Sequence, residues 1–183
     1  MKEDAATTPQ SPTSLLLVET ESLLLQAARE RKFPTVILRV AGIYGPERGH
    51  LFLQYLRNEA RIAAKGERFL NMIHRDDLVT AIVAALQSGQ PGKIYNAVDD
   101  EPVAQIHFFR WLSETLGKSM PPFATEEESA GRKRGLTNKR VSNRRLKSEL
   151  GVQLKYPTFR QGYTAEIQRL DRAGLLHIKT APR

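Results

Sequence analysis

Residues 35–49, TVILRVAGIYGPERG, constrain the fold of this 183-residue chain more than any other stretch. The stretch opens with a β-branched, apolar run that reaches Val40, and Gly42, Gly45 and Pro46 then interrupt it. This pattern predicts a buried strand over residues 35–40 that ends in a tight loop.

Polar side chains gather where this strand is predicted to end. Arg39 lies within the apolar run, and Tyr44 and Arg48 follow it. Ligands of open α/β sheets bind at the carboxyl ends of the strands, so these residues are candidates for ligand contact. The alternative is a core strand followed by an ordinary turn, because glycine is common in turns of every kind.

A helix is predicted before this strand, over residues 14–31, with Ser14 or Thr13 as its cap. Its leucines, valine and alanines lie on more than one side, so we expect it to be buried against a large surface. Pro34 separates the helix from the strand.

The remainder of the chain alternates helices with short strands and contains no internal repeat. Asp77 and Asp100 precede or open helical patterns and are predicted to be helix caps. The predicted elements are a helix over 50–66, an extended piece over 69–73, a helix that opens with Asp76 and Asp77, a strand over 93–98, a helix after Asp100, a long irregular segment over 118–141, a short helix over 142–151 capped by Ser142, and a helix over 156–170.

Composition narrows the class of protein. The chain has no cysteine, which excludes disulfides, thiolate metal sites and cysteine nucleophiles. Its four histidines lack the spacing of a zinc site, so no metal is expected. No apolar run reaches membrane-spanning length, and we expect a cytoplasmic protein with no membrane partner.

The positive charge is concentrated in one segment. Eight of the 28 lysines and arginines lie within residues 131–147, which contain no acid, and the other bases are balanced by 20 acids. This segment suggests a module that binds phosphates or nucleic acid. A solvated loop and helix face is the favoured interpretation, because the segment has no aromatic residue for base stacking.

Four segments occur in a characteristic order: RVAGIYGPERG, NMIHRDDLVTAI, KIYNAVDDEPV and NKRVSNRRLKSELG. Together they resemble the carboxyl-terminal half of extended short-chain dehydrogenase/reductases, and of the NAD-dependent epimerase/dehydratase family in particular. The resemblance implies an α/β fold with the late strands and helices of a Rossmann-like parallel sheet. It also implies NAD(P) as cofactor and a small carboxyl-terminal lobe, here within residues 117–160, that closes over a sugar nucleotide or similar molecule.

The resemblance also implies candidate site residues. The loop after the first strand would border the nicotinamide and the substrate, and the HRDD turn would lie between the two lobes. The lobe segment would meet the phosphates of the substrate. His74 has a second interpretation as a hydrogen-bonded structural residue, because no nucleophile or acid is fixed beside it in sequence. The candidates for substrate binding are Gly42, Tyr44, Arg48, His74, Arg140 and Ser142.

Two parts of the family pattern are missing. The family uses a tyrosine four residues before a lysine on one helix, but Tyr44 is the first tyrosine here and no lysine lies between Lys2 and Lys32. The glycine-rich dinucleotide loop is missing too, and GIYGPERG lacks its spacing. We therefore assign no catalytic residue and expect that the chain does not bind NAD(P) in the usual way.

These observations predict one domain over residues 14–170, a disordered tail over 1–13 and a second tail over 171–183. A partial sheet would expose apolar helix and strand surfaces and an unpaired strand edge. We therefore predict an epimerase/dehydratase-like protein that is inactive alone. It should be marginally stable, or associate as a homo-oligomer or with a related subunit that supplies the missing half.

Overall fold

The computed structural model describes residues 1–63, 65–130 and 138–176. These residues form an α/β fold built on parallel strand pairs, as the sequence predicts. The elements are α1 (Pro12–Arg31), β1 (Ile37–Val40), β2 (Gly42–Tyr44), α2 (His50–Leu56), β3 (Phe69–Leu70), β4 (Met72–His74), α3 (Arg75–Ser88), β5 (Ile94–Ala97), β6 (Val103–Ala104), α4 (Gln105–Leu116), α5 (Glu126–Ala130), α6 (Arg144–Leu150) and α7 (Phe159–Arg172).

Three strand pairs organise the chain. β1 runs parallel to β5, and β2 runs parallel to β4, with Tyr44 opposite His74. β3 and β6 pair antiparallel. Because β2 follows β1 after a single residue, the two parallel pairs share one continuous segment of chain.

β1 is shorter and less buried than predicted. It begins at Ile37, its first three residues are half-buried, and Val40 is exposed. The physical reason is that β1 pairs with β5 alone among the described strands, so that one of its edges faces no other strand.

Opposite helices cover the two faces of the β1–β5 pair. Arg39 points to one face, where its guanidinium donates to the Glu21 carboxylate of α1 at 2.5 and 2.9 Å. Leu38 points to the other face and packs against a buried cluster that contains Ala81 of α3 and Leu146 of α6.

The sequence predicts that α1 is buried, but the structure leaves it largely exposed. None of its residues is buried, and Leu16, Leu17 and Leu23 are more than 60% exposed. The prediction that apolar surfaces lie without partners in this chain is confirmed by these side chains. The cap also differs, since the hydroxyl of Ser11 accepts from the Ser14 backbone and Ser14 reciprocates.

The first residues differ from the expected disordered tail. Glu3 is buried, and its carboxylate accepts a hydrogen bond from the Asn96 backbone N–H of β5 at 3.1 Å. Its carbonyl accepts from the Arg39 guanidinium at 3.0 Å. These contacts place the start of the chain against the β1–β5 pair.

The predicted helix over residues 50–66 ends ten residues early, at Leu56. Asn58 adopts a left-handed conformation with φ 62°, which stops helices. The chain then turns, and Ile62 forms a bridge with Phe123 instead of continuing the helix.

The caps of later helices also differ from expectation. His74 caps α3, because its Nδ1 accepts from the Asp76 backbone N–H at 3.2 Å. Asn143 occupies the cap position of α6, while the Ser142 hydroxyl accepts from the Arg144 backbone at 3.3 Å. α4 begins only after β6, so Asp100 does not cap it.

The main core lies between β2, α2, α4 and α7 and is rich in aromatic rings. Its largest fully buried members are Tyr44, Phe52, Phe108, Phe109, Phe159 and Tyr163.

Among the described helices, none has the length and apolar character to cross a membrane. Residues 131–137 of the basic segment and 177–183 of the predicted tail lie outside the described part.

Candidate functional site

Tyr44 and His74 end two neighbouring parallel strands and lie against each other. Their ring centroids are 5.3 Å apart and the rings are nearly perpendicular. Tyr44 also stacks on Tyr163 at 4.4 Å, and its hydroxyl donates to the Thr158 carbonyl at 3.4 Å. Burial raises the pKa of Tyr44 above its ordinary value, so this phenol stays protonated at physiological pH.

His74 is a neutral, packed imidazole. Its Nδ1 accepts from the Asp76 backbone, so the proton of the neutral ring is on Nε2. Burial lowers the pKa of His74, and the Tyr156 ring packs against it at 4.0 Å. These contacts favour the structural interpretation of His74.

The glycine turn after β2 is filled by protein groups. Gly45 and Gly49 have φ values of 131° and 110°, which only glycine adopts readily. A Cβ on Gly45 would lie 3.0 Å from Nε2 of His74, and one on Gly49 would lie 2.8 Å from the Tyr163 hydroxyl. The turn therefore packs against α7 and β4, with no gap on these sides of the two glycines.

Two candidates remain exposed beside this cluster. Gly42 begins β2 and donates its N–H to the Asn71 carbonyl at 3.1 Å. Arg48 makes a backbone hydrogen bond to Gly45, and within the described ranges its guanidinium has no ion-pair partner. Arg48 is thus available to a ligand.

A second group forms where residues 138–143 lie beside the carboxyl ends of β1 and β5. Asn71 donates to the Lys139 carbonyl at 2.8 Å and accepts from the Val141 N–H at 2.8 Å. Asn96 donates its side-chain amide to the Ser142 carbonyl at 3.1 Å. Two asparagine side chains therefore hold this segment at the strand ends.

Arg140 and Ser142 are brought together on this segment. The Arg140 guanidinium lies over the Phe69 ring at 4.7 Å, and the residue is exposed. Met1 bridges the two positions, because its ammonium group donates to the Arg140 carbonyl and its carbonyl accepts from the Ser142 N–H. The six candidates thus form three groups: the packed pair Tyr44 and His74, the set of exposed Gly42, exposed Arg140 and half-buried Ser142 that Asn71 links, and the separate Arg48.

Asp77 and Asp100 do not cap helices. The buried Asp77 carboxylate accepts from the backbone N–H groups of Lys155 and Tyr156 at 2.7 and 2.9 Å. Asp100 pairs with Lys147 at 3.0 Å and accepts from the Asn143 amide at 2.7 Å. Both carboxylates join segments that are distant in sequence, which explains why local capping rules failed here.

Asp99 is a buried acid that sequence reasoning missed. One carboxylate oxygen accepts from the Glu101 N–H at 3.2 Å, and the other has no hydrogen-bond partner among the described residues. Burial, reinforced by the carboxylates of Glu101, Asp100 and Asp77, raises the pKa of Asp99 to about 8. The only sequence signal was its place directly after the strand of KIYNAV.

Acids already engage part of the basic segment. Arg145 lies 3.9 Å from Glu3 and 3.8 Å from Glu149, and Lys147 pairs with Asp100. Arg132, Lys133 and Arg134 lie outside the described residues.

Comparison with a family model and with known proteins agrees with the resemblance found in the sequence. The family model described as "NAD dependent epimerase/dehydratase family" matches residues 2–97. The chain is 31% identical to Protein YeeZ of Escherichia coli K12 over 123 residues, which are 66% of this chain and 40% of that protein.

Solved structures share the fold. A functionally unknown conserved protein from Silicibacter pomeroyi is 29% identical, with a TM-score of 0.76 over 93% of this chain and 60% of that chain. DesIV, a dTDP-glucose 4,6-dehydratase from Streptomyces venezuelae with NAD and TYD bound, is 17% identical, with a TM-score of 0.78 over 94% of this chain and 54% of that chain. The chain therefore spans only about half the length of the proteins that it matches.

Proposed function

Because the chain belongs to the NAD-dependent epimerase/dehydratase family, we propose that it forms the substrate-facing half of a protein of this kind and catalyses no reaction by itself. The substrate class would be a sugar nucleotide or a related molecule with phosphate groups. This class is proposed from the family and from DesIV, which is a dTDP-glucose 4,6-dehydratase.

One observation carries the proposal: the asparagine-held segment that brings Arg140 to the carboxyl ends of β1 and β5. This end of a parallel sheet is where ligands of open α/β folds bind. The Arg140 guanidinium keeps its polar groups exposed while its plane rests on Phe69, which suits the recognition of a phosphate. The Ser142 hydroxyl lies two residues along the same segment.

The described residues do not fit NAD(P) as the family holds it. α1 carries neither a tyrosine nor a lysine, so it offers no phenol and ammonium pair for proton transfer and ribose contact. The sides of Gly45 and Gly49 that could approach a pyrophosphate are filled by His74 and Tyr163. NAD(P) would therefore need groups beyond those described, and no hydride step is assigned to this chain.

The remaining candidates support this surface. At neutral pH the Tyr44 phenol is protonated and the His74 imidazole is neutral, and both side chains fix the turn that presents Arg48. Asp77 holds Tyr156 over His74 through two backbone hydrogen bonds. These residues therefore have a structural role in positioning the turn, and no proton transfer is assigned to them.

Calorimetric titration tests the proposal with dTDP-glucose, UDP-glucose, NADH and NADPH as separate ligands. We expect a sugar nucleotide to bind, and Arg140→Ala to weaken binding about tenfold by removing a charge-assisted contact. Lys139→Ala is the matched control, since it removes one neighbouring exposed charge and should have little effect. NADH and NADPH should not bind.

The dinucleotides and the sugar nucleotides test separate parts of the proposal. Tight binding of either dinucleotide would refute the lack of cofactor binding. Failure of both sugar nucleotides to bind, or an equal loss for both variants, would refute the assigned surface. No contact in the described part of the basic segment favours a nucleic-acid-binding function.

A further inference from the structure

We propose that a groove on the outer face of α4 binds a small zwitterion, namely an α-amino acid with an aromatic or other apolar side chain. The groove has a volume of about 350 Å³ and lies between α4, β6, Phe69 of β3 and Arg160 of α7. Arg140 and Ser142 do not line it, so it is distinct from the surface proposed for sugar nucleotides, although Phe69 borders both.

One face of α4 builds the charged wall of the groove. His107, Arg110, Trp111 and Glu114 follow the i, i+3, i+4, i+7 spacing, so their side chains project from the same side of the helix. The opposite side of α4 packs its phenylalanines and leucines into the main core. The core therefore holds the helix in place and turns this polar face towards the groove.

Arg110 and Glu114 bring opposite charges to this wall, and the protein neutralises neither of them. Both residues are exposed, and within the described ranges neither has an ion-pair or side-chain hydrogen-bond partner. They lie one helical turn apart, with Cβ atoms about 6 Å from each other, and the arginine comes first, which is the less favourable order for pairing along a helix. The groove therefore presents a free cation beside a free anion.

The other acid and base of the groove are already paired. Nε of Arg160 donates to the Glu101 carboxylate at 3.2 Å, and the guanidinium lies over the Phe159 ring at 4.7 Å. With histidine counted as neutral, the charge that a ligand meets is that of Arg110 and Glu114, whose sum is zero. A simple anion would meet the Glu114 carboxylate as well as Arg110, whereas a zwitterion satisfies both.

The rest of the groove offers apolar contact. Val103 and Ala104 of β6 line it, together with the half-buried rings of Phe69 and Trp111. The Trp111 ring is held edge-on against Phe159, with the ring centroids 5.3 Å apart. A fixed indole of this kind is a good surface for a second aromatic ring or an aliphatic side chain.

An α-amino acid matches these features together. One carbon atom separates its carboxylate from its ammonium group, so the carboxylate can accept two hydrogen bonds from Arg110 while the ammonium group donates to Glu114. The amino-acid side chain then packs on Trp111. Small-molecule sites have volumes of about 300–1,000 Å³, so this groove is at the lower end and suits a single amino acid.

The fluorescence of Trp111 tests the proposal directly, because it is the only tryptophan in the chain. The probe is L-phenylalanine, with excitation at a wavelength that phenylalanine does not absorb. We expect it to change the Trp111 emission with a Kd of about 1 mM, as suits a ligand of its size. 3-Phenylpropanoate lacks the ammonium group and phenethylamine lacks the carboxylate, so each should bind at least about fivefold more weakly.

Two substitutions remove the charges one at a time. Arg110→Ala and Glu114→Gln should each weaken the binding of phenylalanine at least about fivefold. Arg29→Ala and Glu19→Gln are the matched controls, because they make the same changes at exposed positions of α1, which does not line the groove. Circular dichroism must show that each variant is folded like the wild type.

Three results would overturn the proposal. The first is a Trp111 emission that does not change up to about 20 mM phenylalanine. The second is equal binding of phenylalanine and its two analogues to the wild type, which would indicate apolar contact alone. The third is an equal loss for the α4 variants and their controls. None of these results bears on the binding of sugar nucleotides, which is measured separately with Arg140→Ala.

Discussion

At the scale of the residue, Asp99 has the least favourable surroundings for a charge. It is 2% exposed, one of its oxygens has no partner in the described residues, and the groups around it include the carboxylates of Asp77, Asp100 and Glu101. Burial of an ionised carboxylate without compensation destabilises the folded state. The folded chain therefore retains the Asp99 proton to a higher pH than the unfolded chain does.

Asp99→Asn should stabilise the protein, and more so at higher pH. The pKa of Asp99 is about 8 in the folded state and about 4 in an unfolded chain. The contribution of its proton to stability is complete below about pH 4 and is lost as the pH rises through 8. Asparagine cannot ionise, so the gain in free energy of unfolding should be about 1 kcal/mol at pH 5 and up to about 5 kcal/mol at pH 8.

Thermal unfolding of both proteins at pH 5 and pH 8 measures this gain. Asp4→Asn, at an exposed position, is the control and should change the unfolding temperature little at either pH. A gain for Asp99→Asn that is equal at the two pH values would contradict the assigned burial of the charge.

At the scale of the element, local patterns predicted most strands and helices but not where several of them end. The strand of KIYNAV, the helix after HRDD and the last helix all lie near their predicted positions, because apolar period and caps agree there. The helix from residue 50 was predicted too long, since Leu53, Leu56, Ala60 and Ala63 keep helical spacing past the left-handed Asn58. The spacing of apolar residues predicts which side of a segment is buried, but it does not predict where a turn ends the helix.

The sequence predicted only part of the candidate site, because a local pattern does not show which distant segments meet. Tyr44 and His74 meet because each ends a short strand and the two strands pair in parallel, whereas the sequence predicted a loop at Gly42–Tyr44. The contacts of Asn71 and Asn96 were missed, and Asp77 was wrongly predicted to cap a helix, because their partners lie about 45–80 residues away along the chain. Contacts of that range have no signature in a local pattern.

Glu3→Ala tests the most distant of these contacts, between the start of the chain and β5. The variant leaves the Asn96 N–H without its carboxylate partner in a buried place, which should lower the free energy of unfolding by about 1–3 kcal/mol. Urea unfolding measures the loss, and Asp4→Ala at the neighbouring exposed position is the control. An equal, small effect for the two variants would mean that the first residues do not pack on β5 in solution.

At the scale of the whole molecule, two features of the fold limit its stability as a monomer. The exposed leucines of α1 and the stripe on α3 leave apolar area in water on both faces of the β1–β5 pair. The sheet of described parallel strands is also narrow, because each pair contains only two strands.

The unfolding temperature should therefore depend on protein concentration. If two copies cover these surfaces, the folded dimer is favoured by mass action, and raising the concentration about 100-fold should raise the unfolding temperature by several degrees. Differential scanning calorimetry of the wild type at both ends of this concentration range measures the effect. A wild-type unfolding temperature that stays constant over this range would show that the chain unfolds as a monomer.

The bond from the Met1 ammonium group to the Arg140 carbonyl has a practical consequence for anyone who makes this protein. An affinity tag fused ahead of Met1 converts that ammonium into an amide and routes extra residues past Arg140 and Ser142. Such a fusion replaces the group that contacts the Arg140 carbonyl and adds chain beside the proposed phosphate contact. A purification handle fused after Arg183 leaves the Met1 contact unchanged.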